Sequence, residues 1–427
     1  MKIIKIPAAE ILWKSNRFDL IFKYKTLVDS EGFAQNKSIY YENYTRHIQA
    51  FNNFFEEEPK KTSKEDFLLS FKKTYESIKK LNFDAKLSCV TINHQMQLLD
   101  GAHRLAICAY LNETIYAKVE DGECEYNSDY FIKAGLPLSI ADLHALYFIE
   151  KCPSITLGFL HSCVSKTEEE KINKLLKTKA PIFYKKEIKL NFNGYVNFKK
   201  ICYAPNSNEE SWIGSEKNKY AGAKDHALSS FGPHPLRMYV FACKPEDLIP
   251  VKKEIRDILQ KGNFSFHSSE SKAEAVRLGA YFLNINTKRF YESYPFELEI
   301  ENKLNKYLSI AKLLNSKVQS LDDICLSGSC VLDIFNIRSA RDLDYITIKD
   351  QYKTIPGSPF SNHDSEKMYY PHFDALIYDP KNFLKLCGLK VLNLNNILQL
   401  KLKRKEFPKD FIDIIKILFF YLKSKYV

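Results

Sequence analysis

The residues best suited to catalysis lie between positions 328 and 344. An apolar run at 324–326 leads into a Gly328-Ser329 turn, and Asp342 and Asp344 open a second apolar strand. Residues two apart in a strand point to the same face, so the sequence predicts two carboxylates side by side. Their mutual repulsion favours a cation between them. Carboxylate oxygens suit Mg²⁺ or Mn²⁺, which accompany nucleoside triphosphates in many enzymes.

This arrangement resembles the nucleotidyltransferase superfamily, in which a Gly-Ser turn precedes an Asp-x-Asp pair that holds the metal. The resemblance covers about residues 305–427. It implies that Asp342 and Asp344 are catalytic and bind Mg²⁺ or Mn²⁺. It also implies that the nucleotide contacts Gly328, Ser329 and Arg341. The alternative is an exposed edge strand with two solvated acids.

The same superfamily usually adds a third carboxylate from a later strand. Asp374 precedes an apolar run at 375–377 and is predicted to be this catalytic, metal-binding acid on a strand. The alternative is that Asp374 or Asp379 caps a turn before Pro380.

Two helices are predicted after the third acid. Apolar residues at 394–400 recur at helical spacing, and the apolar residues of 411–418 predict a final buried helix. In similar nucleotidyltransferases a basic cluster and a Lys-Asp pair follow the third acid, as Lys409 and Asp410 do here. These cations could contact a triphosphate; alternatively, they mark a solvated helix end favoured by the helix dipole. The basic cluster consists of Lys401, Lys403, Arg404 and Lys405.

A second motif, Asp100-Gly101-Ala102-His103-Arg104, lies near the N-terminal end of the sequence. It follows a strand-like segment and begins a predicted helix. Free amide groups, the positive end of the helix dipole and the Arg104 guanidinium would meet at this turn. The pattern therefore predicts a phosphate site formed by Asp100, Gly101, His103 and Arg104. The alternative is that His103 is a structural histidine under the helix.

This second motif resembles the box of the ParB/sulfiredoxin superfamily, in its Asp-Gly-x-His-Arg form from small-molecule kinases. The resemblance covers about residues 1–122 and implies binding of ATP or CTP, with His103 catalytic in phosphoryl transfer. The chain departs from the thiol-modifying members because no cysteine immediately precedes His103, and it lacks the helix-turn-helix of the DNA-partitioning members. The sequence does not identify the general base that a kinase would need, although Glu42 and Glu65 are carboxylates in this part of the chain.

Composition narrows the classes of partner. The net charge is +11, but the basic residues are dispersed, so anionic nucleotides explain the charge as well as a nucleic acid would. A nucleic-acid partner is not expected. The sequence shows no signal peptide and no membrane-spanning stretch, which predicts a cytoplasmic protein. Its ten cysteines form no metal-like pairs and are expected to be buried apolar residues.

Three modules of α/β and α+β class are predicted. They are a ParB/sulfiredoxin-like module at 1–125, a mixed α+β region of unknown role at 126–300, and a nucleotidyltransferase-like module at 301–427. In the middle region, His267, Glu270 and Glu274 either ligate a metal or cap a helix that Ser268 or Ser269 begins.

Two classes of function are consistent with these features. The first is a bifunctional enzyme that phosphorylates a small alcohol, amino acid or sugar and then transfers a nucleotidyl group to the product. The middle and C-terminal parts are similar to uncharacterised proteins of bacterial surface-polysaccharide gene clusters, which implies capsule synthesis. The second is a CTP-gated, nucleic-acid-associated protein or a toxin-type nucleotidyltransferase that modifies a macromolecule. The missing helix-turn-helix favours the first.

Overall fold

The computed structural model describes residues 2–81, 89–179, 181–203, 211–356 and 359–424. Within these ranges the chain combines helices with short strands, and the strands form three small sheets. The mixed α and β class is therefore confirmed, while the identity of each module stays a prediction. In the same ranges, every helix is too short or too polar to span a lipid bilayer.

The described residues of the N-terminal segment form nine helices and strands, with one four-stranded sheet in the order β1-β4-β2-β3. Helix α5 begins after the Gly101 turn, as predicted. The strand predicted at 87–92 corresponds to β2 (Val90–Ile92), with residues 87 and 88 outside the described ranges, and the short strand β3 (Leu98–Asp100) before the turn was not predicted. The elements are β1 (Lys2–Pro7), α1 (Ala8–Lys14), α2 (Asp19–Asp29), α3 (Ser38–Asn52), α4 (Lys64–Leu81), β2 (Val90–Ile92), β3 (Leu98–Asp100), α5 (Ala102–Tyr110) and β4 (Thr114–Val119).

The middle segment has an antiparallel sheet in the order β6-β7-β5-β8. Strands β5 and β7 lie at its centre and are buried along their whole length. The elements are α6 (Ser128–Lys133), α7 (Leu138–Lys151), β5 (Thr156–Leu160), α8 (Lys166–Lys179), β6 (Ile182–Ile188), α9 (Phe192–Tyr203), α10 (Ala221–Ser230), β7 (Leu236–Phe241), α11 (Pro245–Leu259), β8 (Phe266–Ser268), α12 (Lys272–Leu283) and α13 (Ile285–Ser293).

The C-terminal segment has a mixed sheet in the order β11-β10-β9-β13-β12. The central strand β9 pairs antiparallel with β10 and parallel with β13. The elements are α14 (Glu301–Asn315), β9 (Ile324–Leu326), α15 (Ser329–Ile334), β10 (Leu343–Thr347), β11 (Phe360–Asn362), α16 (Phe373–Tyr378), β12 (Phe383–Leu386), β13 (Leu389–Leu392), α17 (Leu394–Arg404) and α18 (Lys409–Ser424).

Contacts within the chain divide it into two compact units. The first unit comprises Met1–Ile188 and Leu236–Ala275, and the second comprises Lys189–Pro235 and Val276–Val427. The first unit therefore holds the N-terminal and middle sheets, and the second holds the C-terminal sheet. Each of the three predicted modules contains one of these sheets, and the module boundaries near residues 125 and 300 stay a prediction.

Two ion pairs made by Asp19 stabilise the interior of the first unit. The buried Asp19 carboxylate accepts from Arg17 Nε at 2.9 Å and from Lys23 Nζ at 2.6 Å. Burial alone would raise the pKa of Asp19, but the charges of Arg17 and Lys23 outweigh it and hold that pKa well below its usual range. Arg17 also donates to the Leu99 carbonyl at 2.6 Å, so this ion cluster ties helix α2 to strand β3.

We predict that Asp19→Asn destabilises the protein by about 3–5 kcal/mol, because it leaves two buried cations without their counter-charge. A carboxylate with a lowered pKa contributes its full stability above the unfolded pKa of about 4 and loses it as the pH falls. The difference between the wild type and the variant should therefore be largest near pH 7 and should narrow below about pH 4. Urea unfolding across this pH range measures it.

The matched control is Glu10→Gln, which removes the exposed pair between Glu10 and Lys14. This control should cost about 0.5 kcal/mol or less, as exposed pairs do. Equal effects of the two substitutions would contradict a stabilising role for the buried cluster.

Candidate metal and nucleotide site

The Gly-Ser turn leaves the central strand β9 at the point where strand β10 enters beside it. The two strands are antiparallel, and Leu326 pairs with Tyr345. The next residue, Ser327, donates its backbone N–H to the Asp344 carbonyl at 2.9 Å. The end of β9 and the start of β10 therefore meet at one edge of the sheet, which brings the turn and the carboxylates together.

Gly328 is required by the closeness of these two strands. Its φ angle is +60°, in a region that favours glycine. A Cβ atom at this position would lie 2.1 Å from Asp344 Oδ2. The turn therefore leaves room for the Asp344 carboxylate only because residue 328 has no side chain.

The structure places Asp342 and Asp344 at the same cavity. Asp342 precedes strand β10 and is exposed, whereas Asp344 lies within the strand and is 4% exposed. Ser329 Oγ donates to Asp342 Oδ1 at 2.8 Å, so the hydroxyl of the turn orients the exposed acid. Both acids, Gly328 and Ser329 line a cavity of about 640 Å³ in the second unit.

His363, which the sequence analysis did not identify, contacts the buried acid. Its Nε2 lies 3.0 Å from Asp344 Oδ1, and its Nδ1 lies 3.4 Å from Glu366 Oε1. Hydrogen bonding to Asp344 and then to Glu366 raises the pKa of His363 to about 10. The imidazole is therefore a cation at neutral pH and balances the charge of Asp344. Strand β11, which precedes it, has three residues and no alternating pattern that could have revealed it.

A series of ion pairs continues from His363 around the cavity. Glu366 pairs with Arg404 at 2.9 Å, and Arg404 pairs with Asp410 at 2.7 Å. Lys401 lies between Asp410 at 3.1 Å and Asp413 at 2.7 Å. The Arg338 guanidinium then binds both Asp413 oxygens, at 2.7 and 3.0 Å. We call these eight residues the ion chain: Asp344, His363, Glu366, Arg404, Asp410, Lys401, Asp413 and Arg338.

The basic cluster of helix α17 is therefore not simply a solvated helix end. Lys401 is buried, and its side chain is 4% exposed. Burial alone would raise the pKa of Asp410, but hydrogen bonds from Arg404 and other donors lower it to about 2. Lys403, in contrast, projects outward and donates to the Tyr369 carbonyl. Lys401 and Arg404 line the cavity, together with Lys409 of helix α18.

The final helix was predicted to bury its apolar residues, and this prediction was wrong. Helix α18 forms as predicted, but Phe411, Ile415 and Leu418 are 58%, 51% and 48% exposed. The inward face instead carries Asp410 and Asp413, three residues apart, with Ile417 one turn further along. Their ion pairs with Lys401, Arg338 and Arg404 turn the helix this way, and apolar side chains on the other face stay exposed.

Two cations of the cavity lie outside the ion chain. Arg341 is exposed beside Asp342, and Lys409 begins helix α18. Both line the cavity, and within the described ranges neither forms an ion pair with a carboxylate. The site therefore offers one solvated acid and two unpaired cations, next to a buried acid whose charge a histidine balances.

The strand predicted around Asp374 was wrong. Residues Phe373–Tyr378 form helix α16, and Asp374 lies in its first turn. Asp374 is not among the residues that line the cavity with Asp342 and Asp344. Asp379 does cap a turn as the alternative stated, because its Oδ1 accepts from the Lys381 N–H at 3.0 Å. A run of three apolar residues fits a short helix as well as a strand, so the pattern could not separate them.

The N-terminal box has the predicted turn and helix, but its histidine packs against other side chains of the unit. Gly101 has φ +94° and precedes helix α5, and Arg104 pairs with Asp100 at 3.1 Å. His103 Nε2 lies 3.0 Å from the Tyr44 hydroxyl, and its ring is 4.8 Å from that of Phe71. Burial, followed by the charge of Lys23, holds the pKa of His103 well below its usual range.

These contacts describe a neutral histidine packed against aromatic rings, as in the structural alternative. Nucleotide binding by Asp100, Gly101, His103 and Arg104 stays a prediction. Arg104 and the backbone of Gly101 remain the groups of the box most suited to a phosphate.

Glu274 helps to cap helix α12, whereas the metal alternative for His267, Glu270 and Glu274 stays a prediction. Glu274 Oε1 lies 2.8 Å from His267 Nε2, and its Oε2 accepts from the Glu270 N–H at 2.8 Å. Ser271, rather than Ser268 or Ser269, accepts from the first turn of the helix through its hydroxyl. Ser269 instead accepts from the Leu157 N–H, which fixes the loop to strand β5.

Comparisons with protein-family models, with curated proteins and with solved structures return no match for this chain.

We predict that Gly328→Ala destabilises the protein more than Gly388→Ala. Both glycines have positive φ angles, +60° and +83°, so each substitution strains the backbone by about 1–3 kcal/mol, with Gly328, at ψ −133°, towards the upper end. The Cβ at 388 meets nothing within 4 Å, whereas that at 328 meets Asp344 Oδ2 at 2.1 Å. Chemical unfolding should therefore show an additional loss of about 1–3 kcal/mol for Gly328→Ala. Equal losses would contradict the close approach of the turn to Asp344.

Proposed function

We propose that the C-terminal part of this chain is a metal-dependent nucleotidyltransferase. The observation that carries the proposal is the convergence on one cavity of the Gly328-Ser329 turn, the Asp342 and Asp344 carboxylates, and the unpaired cations Arg341 and Lys409. The reaction would transfer a nucleoside monophosphate from ATP, CTP or another triphosphate to a small hydroxyl or phosphorylated acceptor, with release of pyrophosphate.

The donor set at this cavity fits Mg²⁺ or Mn²⁺. Asp342 and Asp344 supply the hard carboxylate oxygens that these ions prefer. Asp344 Oδ1 is buried and lies 3.0 Å from His363 Nε2, so a metal that binds this oxygen would take over the charge balance that the imidazolium now provides. When bound, the metal would polarise the phosphate and neutralise part of its charge.

The chain's own residues would do the remaining work. The Ser329 hydroxyl holds Asp342 in position, and the small Gly328 permits the close approach of a phosphate to the backbone. Arg341 and Lys409 would bind the phosphates that become pyrophosphate, because both are cations without a carboxylate partner within the described ranges. The paired cations of the ion chain would instead hold the walls of the cavity in place.

We predict that Asp342→Asn and Asp344→Asn each lower pyrophosphate release by about a hundredfold or more, equivalent to about 2.7 kcal/mol of lost transition-state stabilisation. The assay combines each nucleoside triphosphate with Mg²⁺ or Mn²⁺ and a panel of alcohols, sugars, amino acids and their phosphates. Asp350→Asn is the control, because Asp350 is exposed and does not line the cavity. Pyrophosphate release at the wild-type rate by the double variant Asp342→Asn, Asp344→Asn would contradict the proposal.

Replacement of the two unpaired cations should weaken triphosphate binding without abolishing metal binding. Arg341→Met and Lys409→Met should each raise the dissociation constant of a Mg²⁺-bound triphosphate by about tenfold to a hundredfold, the effect of losing one charge-assisted hydrogen bond. The control is Lys416→Met, on an exposed position of the same helix as Lys409. Calorimetric titration measures all three, and an effect of the control equal to that of Lys409→Met would refute a direct phosphate contact.

A further inference from the structure

Helix α18 exposes a continuous apolar surface on the side that points away from the second unit. Residues three and four apart are neighbours on a helix, so the exposed apolar side chains form one stripe. At about 100 Å² of exposed surface each, they make a patch of about 600 Å², which is large for a monomer and typical of an interaction site. We call these six residues, each about half exposed, the α18 face: Phe411, Ile412, Ile415, Leu418, Phe419 and Leu422.

The exposed charges of helix α18 are all positive. Lys416 and Lys423 are seven residues apart and therefore lie in one row, along one edge of the α18 face. Lys423 Nζ lies 4.8 Å from the centre of the Phe419 ring, which places its ammonium group at the border of the apolar surface. Within the described ranges, neither lysine pairs with a carboxylate. The two acids of the helix, Asp410 and Asp413, are buried in the ion chain.

A second copy of helix α18 would be a poor partner for this face. A stripe spaced by four, three and four residues resembles a coiled-coil seam, in which charged residues beside the seam set register and partner. Here those flanking positions are apolar or aromatic. An antiparallel pair would also bring both rows of lysines to the same side of the interface without an acid. The seam positions are Phe411, Ile415, Leu418 and Leu422, and the flanking ones are Ile412, Ile414, Phe419 and Tyr421.

A lipid surface fits the same features without these difficulties. It needs no register and no directional bond, and it accepts the apolar side of an amphipathic helix about 5–10 Å below the headgroups. Lysines at the edge of such a helix extend their ammonium groups to the phosphates while their apolar stems stay on the helix. An anionic headgroup would supply the counter-charge that Lys416 and Lys423 lack.

Apolar surface also continues from the α18 face into the second unit. A cavity of about 270 Å³ is lined mainly by apolar and aromatic side chains, among them Phe290, Tyr294, Phe335 and Phe420. Lys423 lines the same cavity and is the one cation among its described lining residues. An apolar cavity with a cation at its edge suits the acyl chain of a lipid with an anionic headgroup.

We propose that the α18 face binds the surface of a membrane that contains anionic phospholipids. The helix would lie in the plane of the membrane, with Phe411, Leu418 and Leu422 among the acyl chains and Lys416 and Lys423 at the phosphates. The inference concerns the outer side of helix α18 and does not depend on the nucleotidyltransferase proposal.

Flotation of the full chain with lipid vesicles tests the proposal. One set of vesicles contains phosphatidylcholine only, and the other contains about 30% phosphatidylglycerol. At about 0.15 M salt we expect the anionic vesicles to bind at least about tenfold more tightly, and about 1 M salt should weaken this binding. No binding to the anionic vesicles, or equal binding to both sets, would overturn the proposal.

Substitutions on the α18 face show whether it makes the contact. Leu418→Glu and Leu422→Glu should each weaken binding by at least about tenfold, because an apolar side chain is lost from the lipid and a charge is added. The control is Leu228→Glu on helix α10, because Leu228 and Leu422 are 57% and 58% exposed. This control should bind as the wild type does, and equal losses for Leu228→Glu and Leu422→Glu would refute the assignment.

The lysines are tested separately, which keeps the proposal falsifiable if a glutamate variant does not fold. Lys416→Gln and Lys423→Gln should each weaken binding to anionic vesicles by about fivefold. Lys312→Gln, at an exposed position of helix α14, should have no effect, and equal binding by all three variants would contradict the proposal.

Sedimentation without lipid tests the competing occupant of the α18 face. We expect the wild type and Leu422→Glu to have the same mass at micromolar concentration. A wild-type dimer that Leu422→Glu converts to a monomer would assign the α18 face to a second copy of the chain and overturn the proposal.

Discussion

The candidate site in the second unit depends on the ion pairs that the buried ammonium group of Lys401 makes with Asp410 and Asp413. A charge in that environment is stable only when opposite charges surround it, and Asp410 and Asp413 do so. Each of these acids in turn binds an arginine, and the alternation of sign continues along the ion chain as far as Asp344. Helices α17 and α18, the segment after β11 and the start of β10 are therefore fixed by one electrostatic network. In the proposed reaction Asp344, at the end of the chain, would hold the metal together with Asp342, and Arg341 and Lys409, which lie outside the network, would bind the phosphates.

Local sequence patterns predicted those residues of the candidate site that lie near one another in the sequence. The turn at Gly328 and the acids Asp342 and Asp344 are joined by a strand pair, and their character could be seen from spacing alone. His363 and Glu366 reach the site only through the pairing of β11 with β10, which no periodicity signals. The orientation of α18 also escaped prediction, because hydrophobic spacing assumes that apolar residues face inward. Here the pairing of Asp410 and Asp413 with buried cations overrides that rule.

The motif in the N-terminal segment shows the same difference between local backbone structure and side-chain contacts that are distant in sequence. The glycine turn at 101 and the helix at 102–110 form as predicted, because each is encoded by neighbouring residues. The side-chain partner of His103 is Tyr44, 59 positions away in the sequence, and such a contact depends on how α3 packs. Motif spacing thus predicts the backbone of a site better than it predicts which atoms remain available.

The central claim is that Asp342 and Asp344 jointly hold a divalent cation at a nucleotide site. It is tested most directly by a crystal structure of the full chain grown with MnCl₂ and an α,β-methylene nucleoside triphosphate, with anomalous data collected at the manganese edge. If Asp342 and Asp344 hold the metal, an anomalous peak will lie about 2.1–2.3 Å from an oxygen of each acid. We also expect the phosphates to contact Arg341 and Lys409. A manganese peak that avoids both acids, or a triphosphate bound with neither acid near its metal, would contradict it.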